Sequence, residues 1–466
     1  MGKIWLVLVG LVFVIGSINF ITAGTVSTEA TATSAKQIKL SGEIDIPMIS
    51  RDSGVNSVLD GVTTPGSQDG DTIWSPLITL NFGIDVGDKI TSLVQLQNRR
   101  LNTGVGTAAN VDFLGNNNID PAVKQAYVKF EKFVTQDLNF TYGLQNLKFA
   151  LRESDGAFFL DTGNASPNFV NGLLTEPNGA VWRRSKSANE FGGFRFDYGS
   201  LKNSNYQGTL FIGKITETAT GVDQLHNDNQ INGAIAWYKL DDDKVFNAIV
   251  TQMLNAKNES NIQTIGVGAN YGGAIQNLGL FGEFYTQSGD ATKTMKQAAT
   301  AFQAGAHYDV KHDLKPYVEL SYWLLSGGGT ASKNENFVSL ENVKSTMILE
   351  DNVFGLNLDS NYTAIKVETG ITTKVDIDKD GTSEELKVKL LIGQFSLTDQ
   401  PTGMTGVSDK LGTEVDLVGT LQFNPSVGFT LGYATLSGGK FFTDPLTYNA
   451  DSSSMRMIIF CTNLKF

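Results

Sequence analysis

From residue 37 onward, apolar and polar residues alternate at a period of two, segment after segment, and this decides most of what the chain can become. Ile38, Leu40, Gly42, Ile44 and Ile46 alternate with Lys39, Ser41, Glu43 and Asp45. Ile78, Leu80, Phe82, Ile84 and Val86 alternate with Thr79, Asn81, Gly83 and Asp85. Successive side chains of a strand point to opposite faces, so each segment is a strand with one apolar and one polar side. The last stretch keeps the rhythm, with Ile458, Phe460, Leu464 and Phe466 on one parity. A half-apolar strand ending on an aromatic residue is expected to close a ring; the alternative is the last strand of a soluble sandwich.

The connections between these segments alternate in length. Gly87-Asp88, 135–137, 199–205, 241–243, 273–276, 311–314, 379–383 and Asn424-Pro425 are short, whereas 51–71, 100–121, 152–178 and 326–359 are long; the first is polar and Gly-rich, and 152–178 is rich in Phe, Gly and Asp. Counting segments gives about 18 strands, most of them meeting the roughly 9–11 residues that a tilted membrane-spanning strand needs. Short turns on one side and long loops on the other are the pattern of a transmembrane barrel. Lipid offers backbone groups no hydrogen-bond partner, so such a sheet must close on itself. A ring of this size encloses water rather than a packed core. The expected fold is therefore all-β, a transmembrane antiparallel β-barrel of about 18 strands with a water-filled lumen, over residues 37–466.

Residues 1–24 read as a signal peptide, with Lys3, an apolar run from Ile4 to Ile15, and small residues at Thr22, Ala23 and Gly24. A retained helical anchor is the other reading of that run. Residues 25–36 form a short linker. Beyond it no run approaches the ~18 apolar residues of a spanning helix. The mean hydropathy of −0.10 suits a barrel, whose strands meet lipid at every second residue. The single Cys461 allows no internal disulfide. The net charge of −12 argues against a nucleic-acid partner, which would require a basic footprint.

Two stretches resemble known families. Leu411-Gly412-Thr413-Glu414-Val415-Asp416-Leu417, followed by Asn424-Pro425 and Gly432-Tyr433, resembles the C-terminal signature of the alginate-export family of outer-membrane barrels. Leu144-Gln145, Lys148 and Phe149 are similar to a Gly-Gln-x-Lys-x-x-Phe type segment of phosphate-selective and related porins, with Leu144 separating Gly143 from Gln145. The resemblance implies a single-chain barrel without enzyme activity, and, for an alginate exporter, an Arg-rich lumen that binds polyuronate. Strand parity gives a different wall. Lys39, Arg99, Lys129, Arg183, Arg195, Lys366, Lys374, Lys387 and Lys389 face inward together with Glu43, Asp45, Glu131, Asp197, Glu283, Asp309, Glu319, Glu368, Asp376, Glu414 and Asp416. A polyanion needs net positive potential along a confined path, and this wall is mixed and slightly acidic.

Candidate site residues follow from that wall. If loop 152–178 folds inward, Asp155, Asp161 and Glu176 oppose Arg99, Lys129, Arg183 and Arg195, with Glu319 also on the wall, and a transverse field orients small solutes. If it stays outside, those charges are solvated. Asp376, Asp378 and Asp380 imitate the first half of a calcium loop, but its twelfth position is Lys387 rather than Glu, and the flanks are strands; a charged turn is the alternative. The histidines are His226, His307 and His312, and no G-x-S-x-G elbow occurs. Trp74, Tyr127, Tyr142, Trp237, Tyr271, Tyr308 and Tyr433 near strand ends are candidates for interfacial girdles, with ordinary packing the equal alternative for each. The expectation is an outer-membrane porin of a Gram-negative-type bacterium that passes small polar solutes or ions by diffusion, with exopolysaccharide export as the alternative. Its partner is outer-membrane lipid, it needs no cofactor, and it works as a monomer or a homo-trimer.

Overall fold

The computed structural model describes residues 38–53, 71–74, 77–87, 89–99, 120–145, 147, 191–216, 229–255, 259–338, 345–350, 358, 360–377, 381–400, 406–444 and 454–466. The leader and linker readings of residues 1–36 lie outside them. The described elements are β1 (Ile38–Ser53), β2 (Asp71–Trp74), β3 (Leu77–Gly87), β4 (Ile90–Arg99), β5 (Asp120–Phe130), β6 (Leu138–Gln145), β7 (Phe191–Gly199), β8 (Tyr206–Thr216), β9 (Asn229–Asp241), β10 (Lys244–Asn255), β11 (Ser260–Ile275), β12 (Leu278–Thr292), β13 (Met295–Asp309), β14 (Tyr317–Leu325), β15 (Gly329–Thr330), β16 (Lys333–Asn334), β17 (Tyr362–Val375), β18 (Glu384–Leu397), β19 (Lys410–Asn424), β20 (Val427–Gly438), a single-turn helix α1 (Lys440–Thr443) and β21 (Ser454–Lys465).

Neighbouring barrel strands pair antiparallel in chain order, and β21 returns to β1 with a register running from Glu43↔Lys465 to Ser53↔Met455. Both β2 and β3 pair with β1 and share one place in the ring, while β15 and β16 form a small hairpin beside β13. The described residues therefore form a closed ring of 18 strands. Every strand along it exchanges backbone hydrogen bonds with two neighbours, which is the condition a sheet must meet in hydrocarbon.

The period of two sorts the side chains as the sequence implies. On β10, Asn247, Ile249 and Thr251 point inward and are buried, while Phe246 and Val250 point outward and are exposed. Leu417, Leu431, Tyr433, Ile458 and Phe460 continue the exposed apolar face across β19, β20 and β21. In water such a face would be a liability; against acyl chains it is matched. Near the short-turn end of β5, β6 and β7, Phe130, Phe133, Phe140, Tyr142, Phe194 and Phe196 pack ring to ring on the outside. Of the girdle candidates, Tyr142, Tyr271, Tyr308 and Tyr433 are exposed, whereas Trp237 is buried among the inward residues. Tyr127 shares the inward side of β5 with Gln125, and the Trp74 side chain lies outside the described residues.

The loop side departs from a uniform alternation. Residues 288–298 read as a polar loop, yet β12 and β13 continue through them and meet at Thr292↔Met295. The apolar signal stops where the ladder leaves the apolar layer, while backbone pairing persists, because neither face of the ribbon needs apolar side chains beyond that point.

The seam is tightly packed. Gly42 and Phe466 exchange backbone hydrogen bonds of 2.9 and 3.1 Å. A Cβ on Gly42 would fall 2.8 Å from the Thr79 carbonyl oxygen and against the Phe466 ring. Gly42→Val is expected to cost about 1–3 kcal/mol through overpacking. The measurement is the urea midpoint of the refolded barrel, followed by its heat-modifiable migration on a gel.

Candidate functional site

The inward face of the barrel receives part of its own chain. The connection from β14 to β17 folds back onto the wall at two places. The first is residues 329–338. The hairpin β15–β16 pairs with β13, and two inward amides fasten the residues that follow. Gln287 exchanges 2.8 Å hydrogen bonds with both the N–H and the carbonyl of Val338. Gln297 donates to the Asn336 carbonyl and accepts from Asn334, each at 2.8 Å.

The second place is residues 345–350. Three consecutive backbone N–H groups are taken by two carboxylates on β19: Met347 donates to Asp416 Oδ2 at 3.0 Å, Ile348 to Glu414 Oε1 at 2.5 Å and Leu349 to Glu414 Oε2 at 2.9 Å. Glu414 and Asp416 are two apart on one strand, so the pleat presents both on the same face. Glu350 makes the reciprocal contact on β17. Its Oε1 accepts from Lys366 Nζ at 2.5 Å and from the Tyr362 hydroxyl at 2.8 Å, and its Oε2 accepts the Ser345 and Thr346 N–H groups at 3.0 Å. Lys366 also donates to Ser345 Oγ at 2.7 Å and lies 3.9 Å from the centre of the Trp323 ring. The Lys366 and Glu350 side chains are 3% and 0% exposed, so this is an ion pair out of contact with bulk water. Burial alone would push the Glu350 carboxyl up, but the Lys366 ammonium, with the Tyr362 and Ser345 hydroxyls, outweighs it and holds that carboxyl below the ordinary range.

Packing supports the polar contacts. Met347, Ile348 and Leu349 are buried in one apolar cluster with Ala434, Leu436, Met455, Met457 and Ile459, the inward residues of β20 and β21. Gly432 makes room, since a Cβ there would lie 3.1 Å from Met347 Cε.

Among the described residues, the charged groups on the wall are paired in separate places. Lys129 pairs with Glu131 at 2.8 Å, and this contact draws the Glu131 carboxyl below its usual range. Arg195 pairs with Asp197 at 2.9 Å, and Thr209 donates to the same carboxylate at 2.6 Å. Glu319 lies 3.1 Å from His307 Nδ1, and Asp309 3.1 Å from His307 Nε2. Tyr317 stacks on His307 and donates at 2.7 Å to Glu368, which pairs with Lys389 at 3.2 Å. Among the described residues, Lys129, Arg195 and Glu319 are thus matched within their own neighbourhoods rather than gathered at one constriction. The Arg99 side chain and residues Asp155, Asp161, Glu176 and Arg183 lie outside the described residues. Asp376 accepts the Gly381 N–H at 3.3 Å; Asp378 and Asp380 also lie outside. Among the described residues no group of three His, Cys, Asp or Glu is placed to hold a metal ion.

Sequence reasoning put Lys366, Glu414 and Asp416 on the wall but missed their occupant. The available signal was the run of three consecutive apolar residues, Met347-Ile348-Leu349, followed by Glu350, within the long connection.

No family model and no curated protein matches the chain. Solved structures do. The chain is similar to Pseudomonas aeruginosa OpdK solved with vanillate, at 12% identity and a TM-score of 0.54 over 92% of this chain and 98% of that one. OccK2 (OpdF) of the same organism is similar at 9% identity and a TM-score of 0.54, over 92% and 97%. OccK8 (OprE) is similar at 12% and 0.52, over 92% and 98%. At these identities the likeness is one of fold, and the fold is that of Gram-negative outer-membrane porins. The comparisons give no support to the alginate-export family in particular.

Breaking one side of a buried ion pair leaves a charge uncompensated, at about 3–5 kcal/mol. The segment can escape that cost by leaving the wall. Lys366→Gln and Glu350→Gln are each expected to make residues 345–350 cleavable by protease in a barrel that still migrates as folded. The double variant is expected to be cleaved more slowly than either single one.

Proposed function

We propose that the chain is a passive diffusion channel of the outer membrane of a Gram-negative-type bacterium, admitting small hydrophilic solutes and ions. The observation that carries this reading is the two-faced ring, apolar outside and bearing amides, hydroxyls and charges of both signs on an inner face that also holds a buried apolar cluster. A solute entering such a lumen exchanges water for Gln, Asn, Thr and paired ionic groups, and no conformational cycle is required. Residues 345–350 narrow the passage on the side of β17 to β20. Loop 152–178, with Asp155, Asp161 and Glu176 opposite Arg99 and Arg183, is proposed as a second inward element.

Selectivity is expected to be weak. The inward cations are largely matched in place, Lys366 by Glu350, Lys129 by Glu131, Arg195 by Asp197 and Lys389 by Glu368. A wall neutralised pair by pair offers a polyuronate little potential to follow. OpdK was solved with vanillate, which makes a small aromatic carboxylate a reasonable first solute to offer alongside salts and sugars.

Single-channel recording of the purified protein in a planar bilayer tests the reading. Stable open steps with a small reversal potential under a salt gradient are expected. Absence of steps, or a strongly anion-selective current blocked by polyuronate, would sink it.

A further inference from the structure

Glu414 and Asp416 are 0% and 2% exposed, yet among the described residues neither is within ion-pair distance of a Lys or Arg. Besides the hydrogen bond the two carboxyl groups make with each other, their donors there are the three neutral N–H groups of Met347, Ile348 and Leu349. One acceptor is left over: Asp416 Oδ1 is buried and has no hydrogen-bond partner. A buried carboxylate oxygen without a donor is costly, and more so when its neighbour is another carboxylate. The occupying segment therefore satisfies this shelf incompletely.

The missing element is a cation with several N–H donors. An ammonium group supplies one positive charge and three donors, enough to reach Asp416 Oδ1, take over at Asp416 Oδ2 and serve one oxygen of Glu414. The surroundings set the rest of the ligand. Ala434, Leu436, Met455, Met457 and Ile459 form the apolar part of the same inward face, which suits an alkyl chain and strengthens charge pairing by excluding water. The cations of the neighbouring strands, Lys366 and Lys389, are engaged by Glu350 and Glu368, so an anionic ligand finds no open partner beside the shelf.

We infer that Glu414 and Asp416 form a lumen-wall binding site for aliphatic primary amines, and that residues 347–349 are its internal occupant. The inference deepens the channel reading and rests on it for access from the lumen. Binding of an amine exchanges the segment's N–H donors for ammonium N–H donors and frees the segment from β19, while its contact with Lys366 holds it nearby.

Trp323 supplies the readout, because the Lys366 ammonium lies over its ring and reports movement of the segment. The full chain in detergent is titrated with n-butylammonium chloride, following tryptophan emission, with Trp323→Phe as the signal control. Tetramethylammonium matches the charge but has no N–H, and butyrate matches the chain but reverses the charge. Saturable binding of butylammonium alone is expected, weakened about tenfold or more by Asp416→Asn. The variant Glu350→Gln loosens the occupant without touching the shelf, keeps Lys366 over Trp323, and is expected to bind butylammonium severalfold more tightly. These opposite shifts separate a binding role from mere structural damage. An equal response to tetramethylammonium, or unchanged affinity in Asp416→Asn, overturns the inference. The titration needs no ion conduction. Binding with the expected variant pattern in a protein that shows no bilayer steps would uphold the site and sink the channel reading. Steps without binding would do the reverse.

Discussion

Backbone N–H and C=O groups cannot be left unpaired in hydrocarbon, and the rest of the structure depends on how this chain meets that demand. The eleven-pair register between β1 and β21 joins the two ends of the described sheet, so no strand is left as an edge. Once closed, the ring does not rest on its inward apolar cluster alone. Its stability lies in the ladder and in the match between its outer face and lipid, which is how a chain of near-neutral hydropathy and a single cysteine can span a membrane.

Closure sets a second problem. Eighteen strands enclose a space wider than side chains reaching from opposite walls can fill. The chain fills part of it with the connection between β14 and β17. That connection is irregular, and irregular backbone at membrane depth survives only where protein or water satisfies it. Here inward side chains do so. Gln287 and Gln297 serve residues 334–338, and Glu414, Asp416 and Lys366 serve residues 345–350. Polar residues that look like a pore lining in one dimension are, in three, also the receptors for an internal loop.

This explains what the sequence made legible. Strand positions, their number and the inward parity of Lys366, Glu414 and Asp416 follow from a local period of two, visible within ten residues. The docking of residues 347–349 onto β19 joins positions 65 to 69 residues apart, and no local pattern encodes such a pairing. The extension of β12 and β13 was hidden for a different reason: outside the apolar layer both faces of a ribbon are polar, so strand and loop look alike. Trp237 is packing rather than girdle, a choice the sequence left open because aromatic character alone does not say which face of the sheet a residue occupies; its pairing opposite Asn247 does.

The position of the internal segment along the chain also orders the assembly of the barrel. Residues 345–350 precede β17, but the carboxylates that receive them are on β19, and part of the apolar surface they cover is on β21. Whatever the insertion machinery, the segment has no complete dock until the last strands are in place. An insertion intermediate therefore holds three unmated apolar side chains, Met347, Ile348 and Leu349, and the lumen is narrowed as a late event, after the ring has formed. Maturation of this barrel should accordingly have two kinetic phases: sheet closure, then settling of the segment onto a wall that closure itself creates.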